Sequence, residues 1–174
     1  MFFGDMTNNP QTAETALPRR VLGLNHLSVG SIGLGCMTMT WAYGSRDRAE
    51  SIATIRRALE LGVTLFDTAD IERSTSFPKE DFRSILPRFR VEALSTNLRI
   101  VDGIKAVASR HQAAPAQIAL AWVLAQGEQI VPIPGSSKRS HLEQSVEAAS
   151  IRLTSEDLAE LDALPHRSVR AINW

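Results

Sequence analysis

Along residues 21–30, VLGLNHLSVG, two short extended apolar segments flank Asn25-His26, which predicts a small hairpin. SIGLG, 31–35, is a short apolar run closed by glycine, the pattern of a buried strand. Asp47 and Glu50 then stand as N-cap and third helical residue. Ile52, Ile55 and Leu59 recur on one face of that helix until Gly62 stops it. VTLFD, 63–67, is β-branched and aromatic and follows the stop at once. Strand, helix and strand in this order form a unit whose two strands lie parallel in one sheet.

The pattern lapses over ERSTSFPKEDFRSILPRFR, 72–90, where prolines and charges interrupt any period, so this stretch is predicted to be a connection. Beyond it Leu94, Leu98, Val101 and Ala108 return at helical spacing. APAQIALAWVLAQG, 114–127, predicts a second helix with Pro115 in its first turn and Gly127 past its end. It is apolar nearly all round, and burial on more than one side is expected. QIVPIPG, 129–135, predicts a buried strand ending in a glycine turn, and SKRSHLEQSVEAA a helix with a polar face. Thr154 with Asp157 opens a last helix, TSEDLAELDAL. The organisation expected is a flexible tail over 1–17, one domain over 18–164 and a C-terminal tail over 165–174, without repeats or low-complexity tracts.

Composition narrows the functional classes. A chain of 174 residues is long enough for one domain, burying roughly two-thirds of its unfolded surface. Nineteen basic and nineteen acidic residues cancel, against the concentrated positive field that a nucleic acid or anionic membrane requires. The single Cys36 excludes an internal disulfide and fits a reducing compartment. No apolar run approaches the roughly 20 residues of a membrane span. The N-terminal stretch has Asp5, no basic start and no long apolar region, so a cytoplasmic protein without a signal peptide is expected. GLGCM, with Gly33 and Gly35, lacks the third glycine of a dinucleotide motif. Cys36 reads as a packing residue, and His26, His111, His141 and His166 have no metal-like spacing, so no metal is expected.

Several stretches are together specific. RVLGLNHLSVGSIGLGCMTMTWAYG resembles the opening of an aldo-keto reductase: its hairpin, first barrel strand and following loop. RAESIATIRRALELGVTLFDTAD resembles that family's first helix and second strand. The stretch from DFRSILPRFR to LAELDAL, which contains IALAWVLAQG and IVPIPG, resembles its C-terminal third. The resemblance covers roughly residues 18–164 in two blocks. It implies an eight-stranded (β/α)8 barrel, typically about 250 residues. This chain is shorter, and the two blocks join directly between Asp70 and about Phe77. The resemblance therefore implies a member lacking the barrel's middle.

For such a protein the implied reaction is carbonyl reduction, with hydride from a nicotinamide and a proton from a tyrosine. A free phenol has a pKa of about 10, too weak an acid at neutral pH, so a neighbouring lysine must depress it. An aspartate pairs with that lysine, and a histidine orients the carbonyl. Asp67 corresponds to the aspartate. The tyrosine position holds Glu72, and the lysine and histidine fall in the missing middle. Glu72, with Arg73 and Ser74 beside it, is expected to be a solvated loop residue rather than a substitute acid. Trp41 and Tyr43 lie in the loop after the first strand, which lines the substrate pocket in the family. They either touch a ligand or cover the barrel rim.

The cofactor half is more complete. A barrel phosphate site combines the loop after the last strand with the N-terminus of a short extra helix. Gly135 permits close backbone approach, and Ser136 and Ser137 offer hydroxyls. Lys138 and Arg139 match the 2′-phosphate that distinguishes NADPH from NADH. By spacing alone the same residues read as an N-cap with basic residues on a solvated helix; the resemblance favours phosphate. Gln144 and Ser145 replace the family's acid–asparagine pair near the adenine, and His141 is a secondary candidate for the phosphate.

The resulting expectation is an α/β partial (β/α)8 TIM-type barrel with outer helices. Strands 130–133, 31–35 and 63–67 are contiguous in that order and unpaired at both outer edges, so a homo-oligomer or marginal stability is expected. Two functions remain open. One is an NADP(H)-dependent reductase of small carbonyl compounds, impaired by the missing tyrosine, lysine and histidine. The other is a non-catalytic NADP-binding or partner-binding remnant.

Overall fold

A computed structural model describes residues 17–40, 47–68 and 91–165. It opens with an antiparallel hairpin of β1 (Arg19–Leu22) and β2 (Leu27–Gly30), paired from Arg19↔Gly30 to Leu22↔Leu27. Gly23 at φ 63° and His26 at φ 52° bound the turn, and the His26 N–H donates to the Gly23 carbonyl at 3.3 Å. The hairpin is anchored by Arg20, whose guanidinium donates to the carbonyls of Leu124, Gly127 and Ile130. Leu124 lies in the last turn of a helix, where carbonyls lack intrahelical partners and attract a cation.

Next come β3 (Leu34–Gly35), α1 (Met37–Thr40), α2 (Arg48–Glu60) and β4 (Phe66–Asp67). Strands β3 and β4 are parallel, Leu34 opposite Phe66 and Gly35 opposite Asp67. Asp47 caps α2 as expected, accepting from the Glu50 N–H at 3.0 Å, and Gly62 follows its end at φ 84°. After residue 90 the chain forms α3 (Val91–His111), α4 (Pro115–Ala125), α5 (Arg139–Glu147), a 3-10 turn over Ala148–Ser150, and α6 (Ser155–Asp162). Thr154 and Asp157 make the expected reciprocal cap on α6: the Thr154 Oγ1 accepts from the Asp157 N–H at 3.1 Å, and Asp157 Oδ2 accepts from the Thr154 N–H at 3.0 Å.

The expected strand order, last–first–second, is present as backbone pairing, although its first member is not a regular strand. Gly35 bridges in parallel to Gly135. The N–H groups of Gly33 and Gly35 donate to the carbonyls of Pro132 and Pro134 at 2.9 and 3.0 Å, and the Ser136 N–H returns to Gly35 at 3.3 Å. In a parallel ladder the bond back to Gly33 would come from residue 134, but proline has no N–H. That is why 129–135, expected as a buried strand, makes an incomplete ladder. Its side chains are not buried as expected either: Ile130 and Ile133 are exposed. Gly33 and Gly35 permit the approach. A Cβ at Gly33 would lie 2.9 Å from the Leu65 carbonyl, and one at Gly35 would lie 2.9 Å from that of Ile133.

Two apolar clusters form the core. Ile32, Leu34, Ala58, Val63, Leu124 and Leu142 join the strands to α2, α4 and α5. Val107, Ala108, Ile118 and Leu161 join α3, α4 and α6. Helix α4 thus serves both clusters, as its nearly uniform apolarity implied. Its one buried polar residue, Gln117, accepts from the Ala114 N–H and donates to the Gln144 carbonyl and the Glu147 carboxylate, so its burial leaves nothing unpaired.

Two helix faces differ from expectation. On α2 the buried residues are Thr54 and Ala58, with Ile55 packed against the core, whereas Ile52 and Leu59 are exposed. Small residues let α2 approach the strands closely, which turns the bulkier pair away. On α3 the buried face carries Ile104, Val107 and Ala108, toward α4 and α6, and Leu98 and Val101 are exposed. The side chain of Leu94 lies outside the described residues, as do Trp41, Tyr43 and Glu72 and the connection 72–90.

Candidate functional site

The carboxyl ends of β3 and β4 and the glycine turn before α5 converge on one edge of the parallel strands. That edge holds Gly35, Cys36, Asp67 and Gly135. In parallel α/β folds ligands bind at this end of the strands.

Asp67 is half-buried at the end of β4, and its carbonyl accepts from the Cys36 N–H at 2.9 Å. Cys36 also packs against the first cluster. Burial, with the charge of Asp67 adding to it, pushes the Cys36 thiol up from its ordinary pKa. A protonated thiol is a weak nucleophile, which agrees with the packing role read for this residue.

Across the edge, the turn 135–139 leads into α5. Gly135 is exposed and a Cβ there would lie 3.0 Å from Thr38 Cγ2. The Ser136 hydroxyl is buried and committed to the turn, donating to the Lys138 carbonyl at 2.8 Å and accepting from its N–H at 3.3 Å. Ser137 is half-buried, and Lys138 is the exposed N-cap of α5, whose own side chain makes no capping hydrogen bond. Gln144 is exposed farther along α5, and His141 is exposed as well. The structure therefore brings Gly135 through Arg139 into one turn and helix start, with Gln144 on the same helix. Ser136, read as a ligand hydroxyl, instead shapes the turn.

Two ion pairs join α2 to this helix. Arg57 Nε lies 2.8 Å from Glu143 Oε1. Arg139 engages Glu50 with one edge of its guanidinium, Nε to Oε1 and Nη2 to Oε2 at 3.1 Å each, and its backbone N–H also donates to Oε1 at 3.0 Å. Glu50 was expected to close the cap of α2; only its N–H does so, and its side chain belongs to Arg139. The Arg139 hydrogen bonds hold the Glu50 carboxyl below its ordinary pKa, and Glu50 raises that of Arg139. Sequence spacing missed this pair because its members are far apart in the chain and meet only through packing of α2 on α5.

One observation bears on whether a phosphorylated cofactor fits here. Thr38, in α1, has a buried Oγ1 with no hydrogen-bond partner, and it borders Gly135. A buried orphan hydroxyl calls for a partner, and this one lies beside an open glycine turn and a helix N-terminus, where backbone N–H groups attract anions. Thr38 was not singled out from the sequence, where a threonine in a loop carries no signal. A cavity of about 710 Å³ lies near Ser31, at the other end of the same strand segment. It is remote from this chemistry. Among the described residues no cluster of histidine, cysteine or carboxylate side chains has metal-binding geometry, and no helix is long and apolar enough to cross a membrane.

A strand–helix–strand unit with a glycine turn and helix start beside its first strand defines an α/β protein. The chain belongs to the aldo/keto reductase family, whose model matches residues 31–76 and 72–165. It is 37% identical over 134 residues to the "Probable aldo-keto reductase 1" of Glycine max, covering 72% of this chain and 38% of that protein. It is 36% identical over 126 residues to the "Aldo-keto reductase str7" of Strobilurus tenacellus, covering 67% and 38%. A glycerol dehydrogenase, AKR11B4, from Gluconobacter oxydans superposes with a TM-score of 0.46 at 22% identity, over 68% of this chain and 38% of that one. The chain thus spans about two-fifths of the length of the relatives it matches. The two family matches meet at 72–76, within the junction expected between Asp70 and Phe77.

Proposed function

We propose that this chain is an NADP(H)-binding aldo-keto reductase-type polypeptide, a partial (β/α)8 barrel lacking its middle, in which cofactor binding outlasts efficient carbonyl reduction. The observation that carries this reading is the Gly35–Gly135 bridge, which fixes the turn Gly135–Ser137 and the N-terminus of α5 beside the ends of β3 and β4. Lys138 and Arg139 at that helix start supply two positive charges suited to a 2′-phosphate, and Thr38 adds a hydroxyl. Gln144, exposed farther along α5, is the candidate to hydrogen-bond an adenine.

The bound dinucleotide would supply hydride to the carbonyl carbon. Reduction also requires a proton for the carbonyl oxygen, and the family's tyrosine is replaced by Glu72. The resemblance puts the family's lysine and histidine in the stretch missing between the two matched blocks. Removing a positioned general acid alone lowers a rate by roughly 10²–10⁴. A soluble, cytoplasmic setting and a small carbonyl substrate complete the reading, with Trp41 and Tyr43 as substrate-side candidates. The exposed Ile52, Leu59, Leu98 and Val101 favour association with a second chain over an isolated monomer.

The test is a fluorescence titration of the purified chain with NADPH and NADH at low and physiological salt. Weak binding that prefers NADPH and weakens with salt is expected, because exposed charges are screened within about 8–10 Å at physiological ionic strength. The double substitution Lys138→Ala, Arg139→Ala is expected to remove the preference without altering the circular dichroism. Equal affinity for both cofactors, or none for either, would reduce the turn to a helix cap.

A further inference from the structure

The helix start assigned above to a phosphate already carries a carboxylate of this chain. Glu50 takes up the backbone N–H of Arg139 and the Nε–Nη2 edge of its guanidinium, at 3.0, 3.1 and 3.1 Å. These are the donors that a phosphate entering at the N-terminus of α5 needs. Building on the phosphate reading, we propose that Glu50 is a specificity-determining residue: an internal competitor that a ligand's phosphate must displace to reach the helix-end N–H and the Nε–Nη2 edge of Arg139.

The contacts that Glu50 makes are ones a phosphate would also make. Glu50 takes Nε and Nη2, one edge of the guanidinium and a fork that phosphate also uses. It takes the first backbone N–H of α5 as well, so the same carboxylate blocks the helix end. The Glu50 backbone is fixed in the first turn of α2 by the Asp47 cap, so displacement requires only side-chain rotation. Arg139 is half exposed and reachable from solvent.

Competition also implies selection. A dianionic phosphate brings more charge and more acceptor oxygens than the carboxylate, and it regains every donor that Glu50 gives up. The ribose hydroxyl that NADH carries at the same place cannot make that exchange. Glu50 therefore lowers affinity for the phosphorylated cofactor while leaving the unphosphorylated one unaffected.

The experiment measures NADPH and NADH dissociation constants for the full chain, for Glu50→Gln, and for Arg57→Gln. The last breaks the other α2–α5 ion pair and leaves the helix start intact. Glu50→Gln is expected to tighten NADPH binding about three- to tenfold, in keeping with loss of one partly exposed ion pair. NADH binding and the Arg57→Gln constants are expected to stay at the starting value. Weaker NADPH binding in Glu50→Gln would overturn the proposal and make Glu50 a support for Arg139; so would an unchanged constant. NADPH preferred equally by all three proteins would remove the competitor while preserving the phosphate site. No preference in any of them would remove both. Glu50→Asp, whose carboxylate is one methylene shorter, serves as the second variant if circular dichroism shows that Glu50→Gln is unfolded, and tightening is expected there too.

Discussion

Asp157 shows how much one side chain on this scaffold is asked to hold. It is nearly buried and accepts from His111 at 2.8 Å, from Arg110 at 2.9 Å and from the Thr154 hydroxyl at 2.8 Å, while capping its own helix. Hydrogen bonding, led by His111 and followed by the Thr154 backbone and Arg110, holds its carboxyl well below the usual carboxylate range. A carboxyl depressed on folding contributes stability that is fully present above its unfolded pKa of about 4 and is lost as pH falls toward the folded value. The melting temperature is therefore expected to be flat near neutrality and to drop below about pH 4. Asp157→Asn should lower the neutral-pH value and flatten the acid limb, which thermal melts from pH 7 to pH 3 would check. The Thr154–Asp157 spacing announced the cap, but His111 and Arg110 stand on α3 and carried no sign of this role. Their contribution depends on α3 lying against α6.

At the scale of elements, the parallel strands depend on alternating glycines. Gly33 and Gly35 present no side chain where the Leu65 and Ile133 carbonyls pass 2.9 Å from a hypothetical Cβ. Gly35→Ala is expected to destabilise the chain by about 1–3 kcal/mol, the range for overpacking in a core, because the atoms nearest its Cβ, in Ile133 and Gly135, are all backbone and cannot rotate away. It should also weaken NADPH binding, since the same bridge sets the Gly135 turn. Thr154→Ala, by contrast, is expected to cost about 1 kcal/mol, typical of a lost N-cap, and to leave cofactor binding unchanged. Urea denaturation and titration of the two variants separate a strand that positions the site from a helix that only supports the fold.

At the scale of the whole molecule, the chain is expected to associate. Ile52 and Leu59 on α2 and Leu98 and Val101 on α3 remain exposed, and β3 and β4 form a short ladder rather than a broad sheet. Size-exclusion chromatography with light scattering should give a dimer or larger species, or a monomer that binds a hydrophobic dye. A sharp monomer peak with cooperative melting and no dye binding would contradict this. Carbonyl reduction with NADPH should be near background in the same preparation. Turnover like that of an ordinary reductase, abolished by Glu72→Gln, would identify Glu72 as a substitute acid.

Local chemistry was decided by the sequence itself: the Asp47 and Thr154 caps, the Gly62 stop, Pro115 at the start of α4, and the glycine turn before α5. Each depends on neighbours within a few residues, so hydrogen-bond geometry and φ preference are legible without the fold. The family was legible for the same reason, carried by contiguous stretches such as VTLFDTAD and IVPIPG. Which faces are buried was not. Ile52 and Leu59 have the spacing of a core stripe yet face outward, because burial depends on which neighbours α2 meets and how closely Thr54 and Ala58 let it approach. The alternation of QIVPIPG suggested a full strand, but Pro132 and Pro134 leave it able to accept more ladder bonds than it can return. Only tertiary packing set Glu50 against Arg139, 89 positions apart. A charge pair of that separation forms when two helices dock, and nothing in either local sequence specifies the docking.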